Sequence, residues 1–98
     1  MLTVQLRRYV MEPGRLAALL AWFPSLVPVR EQYGFRLVFA LADEEREVFT
    51  WAVAHDGDAE AFLAAERVYD AAPERARVFE TFPGGIADMA VGFARPVA

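Results

Sequence analysis

The sequence predicts an α+β fold of order β-α-β-β-α-β, and three observations carry that prediction. The hydrophobic period changes repeatedly along the chain between the two-residue repeat of a strand and the three- and four-residue spacings of a helix. Pro13-Gly14 and Gly34-Phe35 bound the one long apolar helical repeat, and Asp43-Glu44-Glu45-Arg46 separates two extended runs.

Each element follows in order. Leu2, Val4, Leu6 and Val10 alternate with Thr3, Gln5, Arg7 and Tyr9, the pattern of a half-buried first strand. Pro13 suits a first helical turn, after which Leu16, Leu19, Leu20, Phe23, Leu26 and Val27 recur at helical spacing. Pro24 and Pro28 each remove a backbone donor, so a kink or loosened last section is expected before Gly34 stops the helix. Phe35 to Ala42 and Glu47 to His55 form a hairpin. Asp58 caps a second helix through about Ala72, Pro73 to about Glu80 forms a further short helix, Pro83-Gly84-Gly85 turns, and Ile86 to Phe93 is the last strand. Within 98 residues this order is the ferredoxin-like arrangement, an antiparallel sheet with its helices on one face, in a single domain spanning residues 1–98.

Composition excludes several classes. The chain is 56% hydrophobic and 13% aromatic, which is incompatible with disorder. Without Cys it can form no disulfide, thiolate metal site or thiol nucleophile, and its single His makes no His-rich metal set. The net charge is −4, with ten Arg scattered along the chain and no Lys, so no basic stripe follows a nucleic-acid backbone. Leu16 to Val29 is shorter than the roughly 20 residues that span a bilayer, and nothing at the N-terminus reads as a signal segment. No nucleic-acid or membrane partner, no metal and no cofactor is expected, and a cytoplasmic location follows by default. A chain this short buries a modest fraction of its surface, which favours a further apolar interface such as a dimer.

A four-residue hairpin loop would place Ala42 opposite Glu47, Ala40 opposite Phe49, Val38 opposite Trp51 and Arg36 opposite Val53. Phe35, Leu37, Phe39, Leu41, Val48, Thr50, Ala52 and Ala54 then face the helices with Leu2, Val4 and Leu6. Arg36, Val38, Glu47, Phe49, Trp51, Val53 and His55 share the open face with Gln5, Arg7 and Tyr9. A loop one residue longer or shorter inverts one strand's assignment. An open face with bulky aromatics and scattered hydrogen-bonding groups suggests a cavity or an interface, and two such sheets stacked in a dimer would supply both.

Leu6-Arg7, Tyr9, Pro13-Gly14 before a helix, Pro28, Arg30-Glu31, Tyr33-Gly34-Phe35-Arg36, Phe49-Thr50-Trp51, Arg67, Tyr69 and Pro73-Glu74 occur in this order over nearly the whole chain. In these residues the chain resembles the NIPSNAP family, a branch of the dimeric α/β-barrel superfamily. The resemblance implies a homodimer whose two sheets close into a barrel, with a small-molecule cavity on each sheet's open face. It supplies no single reaction, since fold relatives include monooxygenases, isomerases, cyclases and haem proteins. Family members often carry an acid where this chain has Gln5, so a proton-transfer role at that position does not carry over.

Candidate residues each have two readings. Arg7 can grip a carboxylate or enolate bidentately, or pair with Glu47 or another acid across a dimer. Tyr9 can donate to a developing oxyanion or simply line the barrel. His55 is a general base or axial ligand on one reading and a turn residue beside Asp56-Gly57 on the other. Trp51 offers a wall for a flat ligand or a dimer anchor. Gln5, Arg36 and Asp88 complete the candidate ligand-binding set, Arg36 also as a salt-bridge residue and Asp88 as a partner for Arg7. The acidic tip Asp43 to Glu47 reads as a solvated hairpin end.

Two functions from different classes follow. One is a cofactor-independent enzyme of isomerase, cyclase or monooxygenase type acting on a small aromatic or polyketide-like molecule, with Arg7 and Tyr9 polarising a carbonyl and His55 moving a proton. It requires the three side chains to converge within about 3 Å of one reacting atom. The other is a non-catalytic dimeric binding or interaction module.

Overall fold

The computed structural model describes residues 1–98. Strand β1 (Leu2–Met11) leads into helix α1 (Leu16–Gln32), the hairpin β2 (Arg36–Asp43) and β3 (Val48–Asp56), helices α2 (Ala59–Asp70) and α3 (Pro73–Phe79), and strand β4 (Ile86–Ala94). The strands form one antiparallel sheet of order β2-β3-β1-β4, with the first and third strands at its centre. This is the ferredoxin-like α+β fold. No helix is long and apolar enough to cross a membrane.

Helix α1 buries Leu16, Leu19, Trp22, Phe23, Leu26, Val29 and Arg30, a helical stripe against the sheet. Pro24 and Pro28 both lie inside a single 17-residue helix. Its N-cap residue, Arg15, makes no side-chain cap. The cap comes instead from the hairpin, where the Glu47 carboxylate accepts from Gly14 N at 2.9 and 3.0 Å and from Leu16 N at 3.3 Å. Glu47 takes a left-handed backbone conformation, φ 54°, to turn into β3. It is therefore a tertiary helix cap and not part of a solvated tip. At the other end Gly34, φ +88°, lets Phe35 N return to Arg30 O at 3.1 Å. Asp58 caps α2 through Ala61 N at 2.9 Å, and Pro73 at the start of α3 separates the two short helices.

The expected sharing of faces is inverted for β1, β3 and the far end of β2, while Phe35 and Leu37 face the helices as expected. The helices cover the face that carries Gln5, Tyr9, Phe49, Trp51 and Val53, all buried, with Phe23 of α1 set edge-on against Phe49 and Trp51 at 4.8 and 5.1 Å between ring centres. Leu2, Leu6, Val38, Phe39 and Leu41, expected inside or mixed between faces, are exposed large apolar residues. The hairpin register also differs: Ala42 opposes Phe49, Ala40 opposes Trp51, Leu37 opposes Val53 and Arg36 opposes Ala54, with an irregularity between Leu37 and Phe39. That β-bulge detaches Arg36 and Val38 from the Trp51 face. Alternation alone could not select the covered face because both faces are apolar. The difference is bulk on β3: its larger aromatic rings, Phe49 and Trp51, meet α1, while its opposite side presents small Ala52 and Ala54.

Candidate functional site

The central strands place Arg7 beside Trp51, Tyr9 beside Phe49 and Gln5 beside Val53. The Arg7 guanidinium lies along this floor. Its Nε donates to the Tyr9 hydroxyl at 3.0 Å, its Nη1 donates to Gln5 Oε1 at 2.8 Å, and its centre sits 5.5 Å from the Trp51 ring. Because the Tyr9 oxygen already accepts from Arg7, its own O–H is left to donate elsewhere. Gln5 thus acts as an orienting residue: its buried carbonyl fixes the plane of the arginine.

Above this floor, between sheet and helices, lies a cavity of about 180 Å³. Arg7, Tyr9 and Trp51 line it from the sheet, and Leu19, Trp22, Phe23 and Leu26 from α1. Arg75 and Phe79 of α3, with Phe82, Ile86 and Met89 beyond it, complete the wall. Trp22, Phe79 and Phe82 pack mutually edge-on or tilted at 4.9 to 5.4 Å, and Trp22 Nε1 is tied to Val78 O at 3.1 Å, which joins α1 to α3. Ten of the twelve lining residues are hydrophobic, and the two that are not, Arg7 and Arg75, are both cationic. The space exceeds the roughly 150 Å³ that accepts a benzene ring in an apolar protein interior.

A second arginine layer stands next to the floor. Arg30, buried at the end of α1, stacks on Tyr69 at 4.3 Å, Phe35 at 4.9 Å and Trp51 at 5.4 Å. Glu66 reaches both arginines, at 3.5 Å from Arg30 and 3.8 Å from Arg7. Burial depresses the Arg30 pKa, although a guanidinium stays charged. Burial raises the Tyr69 phenol, against the opposing pull of Arg30 and Arg75, so Tyr69 remains neutral. The buried side-chain polar atoms without a hydrogen-bond partner are Arg30 Nε, Trp51 Nε1 and Arg75 Nε. All three are donors, and all belong to this neighbourhood.

Of the residues singled out from the sequence, Gln5, Arg7, Tyr9 and Trp51 come together, though beneath the helices and not on the open face. His55 does not join them. It lies on the same face but four residues further along β3, roughly 13 Å by strand geometry. Its ring packs against Phe35 and Phe62 at 5.0 and 6.4 Å, and its Nδ1 lies 2.7 Å from Asp56 O. Arg36 is exposed and bonds Asp56 at 2.9 Å. Asp88 opposes Val10 on β4, so it shares the outer face and cannot pair with Arg7 through the sheet. Nor does Glu47 pair with Arg7, since its carboxylate caps α1. Sequence reasoning missed Arg30, Glu66 and Arg75 as site residues. A charged residue closing the apolar stripe of α1 was the available signal for Arg30; Glu66 and Arg75 sit in helices whose weaker stripes gave none.

At the level of sequence, no family model and no curated protein matches the chain. Solved structures do. An uncharacterized NIPSNAP domain protein from Burkholderia xenovorans superimposes with a TM-score of 0.82 at 20% identity, over 100% of this chain and 96% of its own. A NIPSNAP family protein of unknown function from Agrobacterium tumefaciens gives 0.83 at 13% identity, over 97% and 87%. A putative antibiotic biosynthesis monooxygenase from Bacteroides thetaiotaomicron gives 0.74 at 21% identity, over 99% and 90%. The chain therefore has the fold of NIPSNAP domain proteins, a fold it also shares with a putative antibiotic biosynthesis monooxygenase.

Proposed function

We propose that this protein binds a small organic molecule in the cavity between its sheet and helices, where Arg7 and Tyr9 polarise an oxygen of the ligand. The observation that carries the reading is the combination of an apolar space of about 180 Å³ with an Arg7–Tyr9 pair on its floor, held at 3.0 Å with the tyrosine proton free. An apolar chamber with a few convergent polar groups is the usual form of a ligand site. The low local dielectric would strengthen any hydrogen bond made there.

The outer face of the sheet is the proposed homodimer surface. Leu6, Val38, Phe39 and Leu41 are exposed together on it, an apolar patch of the kind that marks an interface. In this reading the two roles use opposite faces of the same sheet, and the ligand lies beneath the helices of each protomer rather than between the sheets.

The test is binding of acetophenone against ethylbenzene, a similar ring lacking the carbonyl, by calorimetry on the native chain and on Tyr9→Phe and Met89→Trp. The native protein is expected to bind both and to favour acetophenone; Tyr9→Phe should narrow the preference and Met89→Trp should close the cavity to both. Binding that survives cavity filling would overturn the reading.

A catalytic version is a cofactor-independent isomerase, cyclase or monooxygenase, favoured by the oxyanion-stabilising character of the Arg7–Tyr9 pair. The lining contributes no carboxylate or imidazole, so such an enzyme would depend on an acidic substrate or on the phenol itself for proton movement. A non-catalytic binding module, the alternative, needs nothing beyond this lining.

A further inference from the structure

Resting on the cavity reading above, the charge and donor pattern of its surroundings restricts the ligand class. Three guanidiniums, Arg7, Arg30 and Arg75, gather around Trp51 and Tyr69. The one carboxylate among them that is mostly buried, Glu66, is shared between Arg7 and Arg30. The only carboxylate paired with Arg75 is Asp70, whose side chain is 58% exposed, at 3.6 Å, an ion-pair separation too long for a hydrogen bond; its buried neighbour is the neutral Tyr69 phenol. Solvent screening leaves such a contact weak.

The buried nitrogens that lack acceptors repeat the asymmetry: Arg30 Nε, Arg75 Nε and the indole Nε1 of Trp51, a residue only 2% exposed. No buried side-chain oxygen is left without a donor. Around an otherwise apolar chamber there is thus a surplus of positive charge and of donors, and no matching surplus of acceptors. A neutral hydrocarbon leaves that surplus unanswered, and a cation adds to it.

We infer that the site takes a single-ring organic carboxylate, its ring in the aromatic and aliphatic part of the chamber and its anionic oxygens toward Arg7 and Arg75. Volume sets the single ring, because the chamber is only modestly larger than the roughly 150 Å³ that holds benzene. Charge sets the carboxylate. Arg7 makes two hydrogen bonds, to Tyr9 and Gln5, out of five N–H donors, so it retains capacity for a ligand while staying fixed in place.

The experiment compares benzoate with benzamide, a neutral ring of nearly the same shape, by calorimetry on the full chain at low and high salt, and repeats the pair on Arg75→Met. Benzoate is expected to bind about tenfold tighter than benzamide, as suits a charge-assisted contact. That preference should shrink in high salt and fall to about twofold or less in Arg75→Met. Equal affinity of the native chain for the two probes would overturn the anion inference and leave the cavity reading standing. Absence of binding by benzoate, benzamide and acetophenone alike would overturn both. The native-chain comparison stands without the variant should Arg75→Met fold poorly.

Discussion

The Glu47 carboxylate and the Leu16 backbone N–H, 31 positions apart, meet at 3.3 Å and join the β2–β3 hairpin to the start of α1. The same carboxylate takes Gly14 N, and the residue that supplies it has a positive φ of 54°. Two opposing effects therefore sit at one position. Glu47→Ala loses the cap and keeps the backbone penalty, a cost of about 1 to 2 kcal/mol. Glu47→Gly loses the cap but relieves a left-handed conformation worth about 1 kcal/mol, so it should be the milder change. Urea unfolding of both variants checks the order; a glycine variant less stable than the alanine one would remove backbone strain from the account.

Arg7 holds the floor of the cavity by its bonds to Tyr9 and Gln5. Arg7→Met leaves the buried Gln5 carbonyl without its donor, which costs about 1 to 3 kcal/mol. Tyr9→Phe removes one bond and keeps the ring, so a smaller loss of about 1 kcal/mol is expected. If the two side chains act as one unit, the double variant will lose less than the sum of the two single changes. Additive losses in denaturant melts would mean that the 3.0 Å contact contributes nothing to coupling.

Tyr69 supplies the pH-dependent test. Burial raises its folded-state pKa above that of the unfolded chain. The corresponding stability is complete below the unfolded value, near pH 10, and is lost as pH rises from there through the folded value. Tyr69→Phe keeps the ring under Arg30 and removes the titration. Its melting temperature should fall less between about pH 9 and about pH 11 than that of the parent; parallel curves would exclude Tyr69 as a source of the alkaline loss.

The two faces of the sheet are separable by mutation. Trp51 is covered by Phe23 at 5.1 Å and is therefore no dimer anchor; Trp51→Ala is expected to cost about 3 to 5 kcal/mol of folding stability. Leu41, 63% exposed on the outer face, should behave in the opposite way. Leu41→Arg is expected to shift sedimentation toward monomer and leave ligand affinity unchanged. An unaltered sedimentation coefficient for Leu41→Arg would exclude this part of the face as the contact.

Gly34 offers a check on His55. A side chain there would need φ +88° and would bring Cβ to 3.0 Å from His55 Nε2. Gly34→Ala should cost about 1 to 3 kcal/mol, and adding His55→Ala should recover only the steric part. His55→Ala alone should leave ligand binding intact, because the imidazole lies among Phe35 and Phe62 and outside the chamber.

How much of this was readable in the sequence depends on how local the cause is. Gly34, Asp58 and Pro73 act within a few residues of themselves, and the element order built on them matches the structure. Alternation in β1 correctly grouped Gln5, Arg7 and Tyr9, and the strand pairing brought them to Trp51. Which side the helices would cover was not readable, because Leu2, Val4 and Leu6 are as apolar as a core requires and competed on equal terms with the aromatic set. The bulge between Leu37 and Phe39 and the reach of Glu47 to Gly14 depend on contacts between distant segments and leave no local mark. Arg30 was hidden for a related reason: an arginine is ordinarily placed at the surface, and here it is held inside by stacking on Tyr69 and Phe35.

The alternation of β1 has a wider bearing. Arg7 and Tyr9 line the chamber, Gln5 fixes Arg7 beside it, and Leu6 belongs to the outer face, so consecutive positions of one strand answer to independent physical demands. A change of chamber chemistry can accumulate at every second position with no adjustment next door. Such a strand allows the contents of the fold to be rewritten while its outline persists.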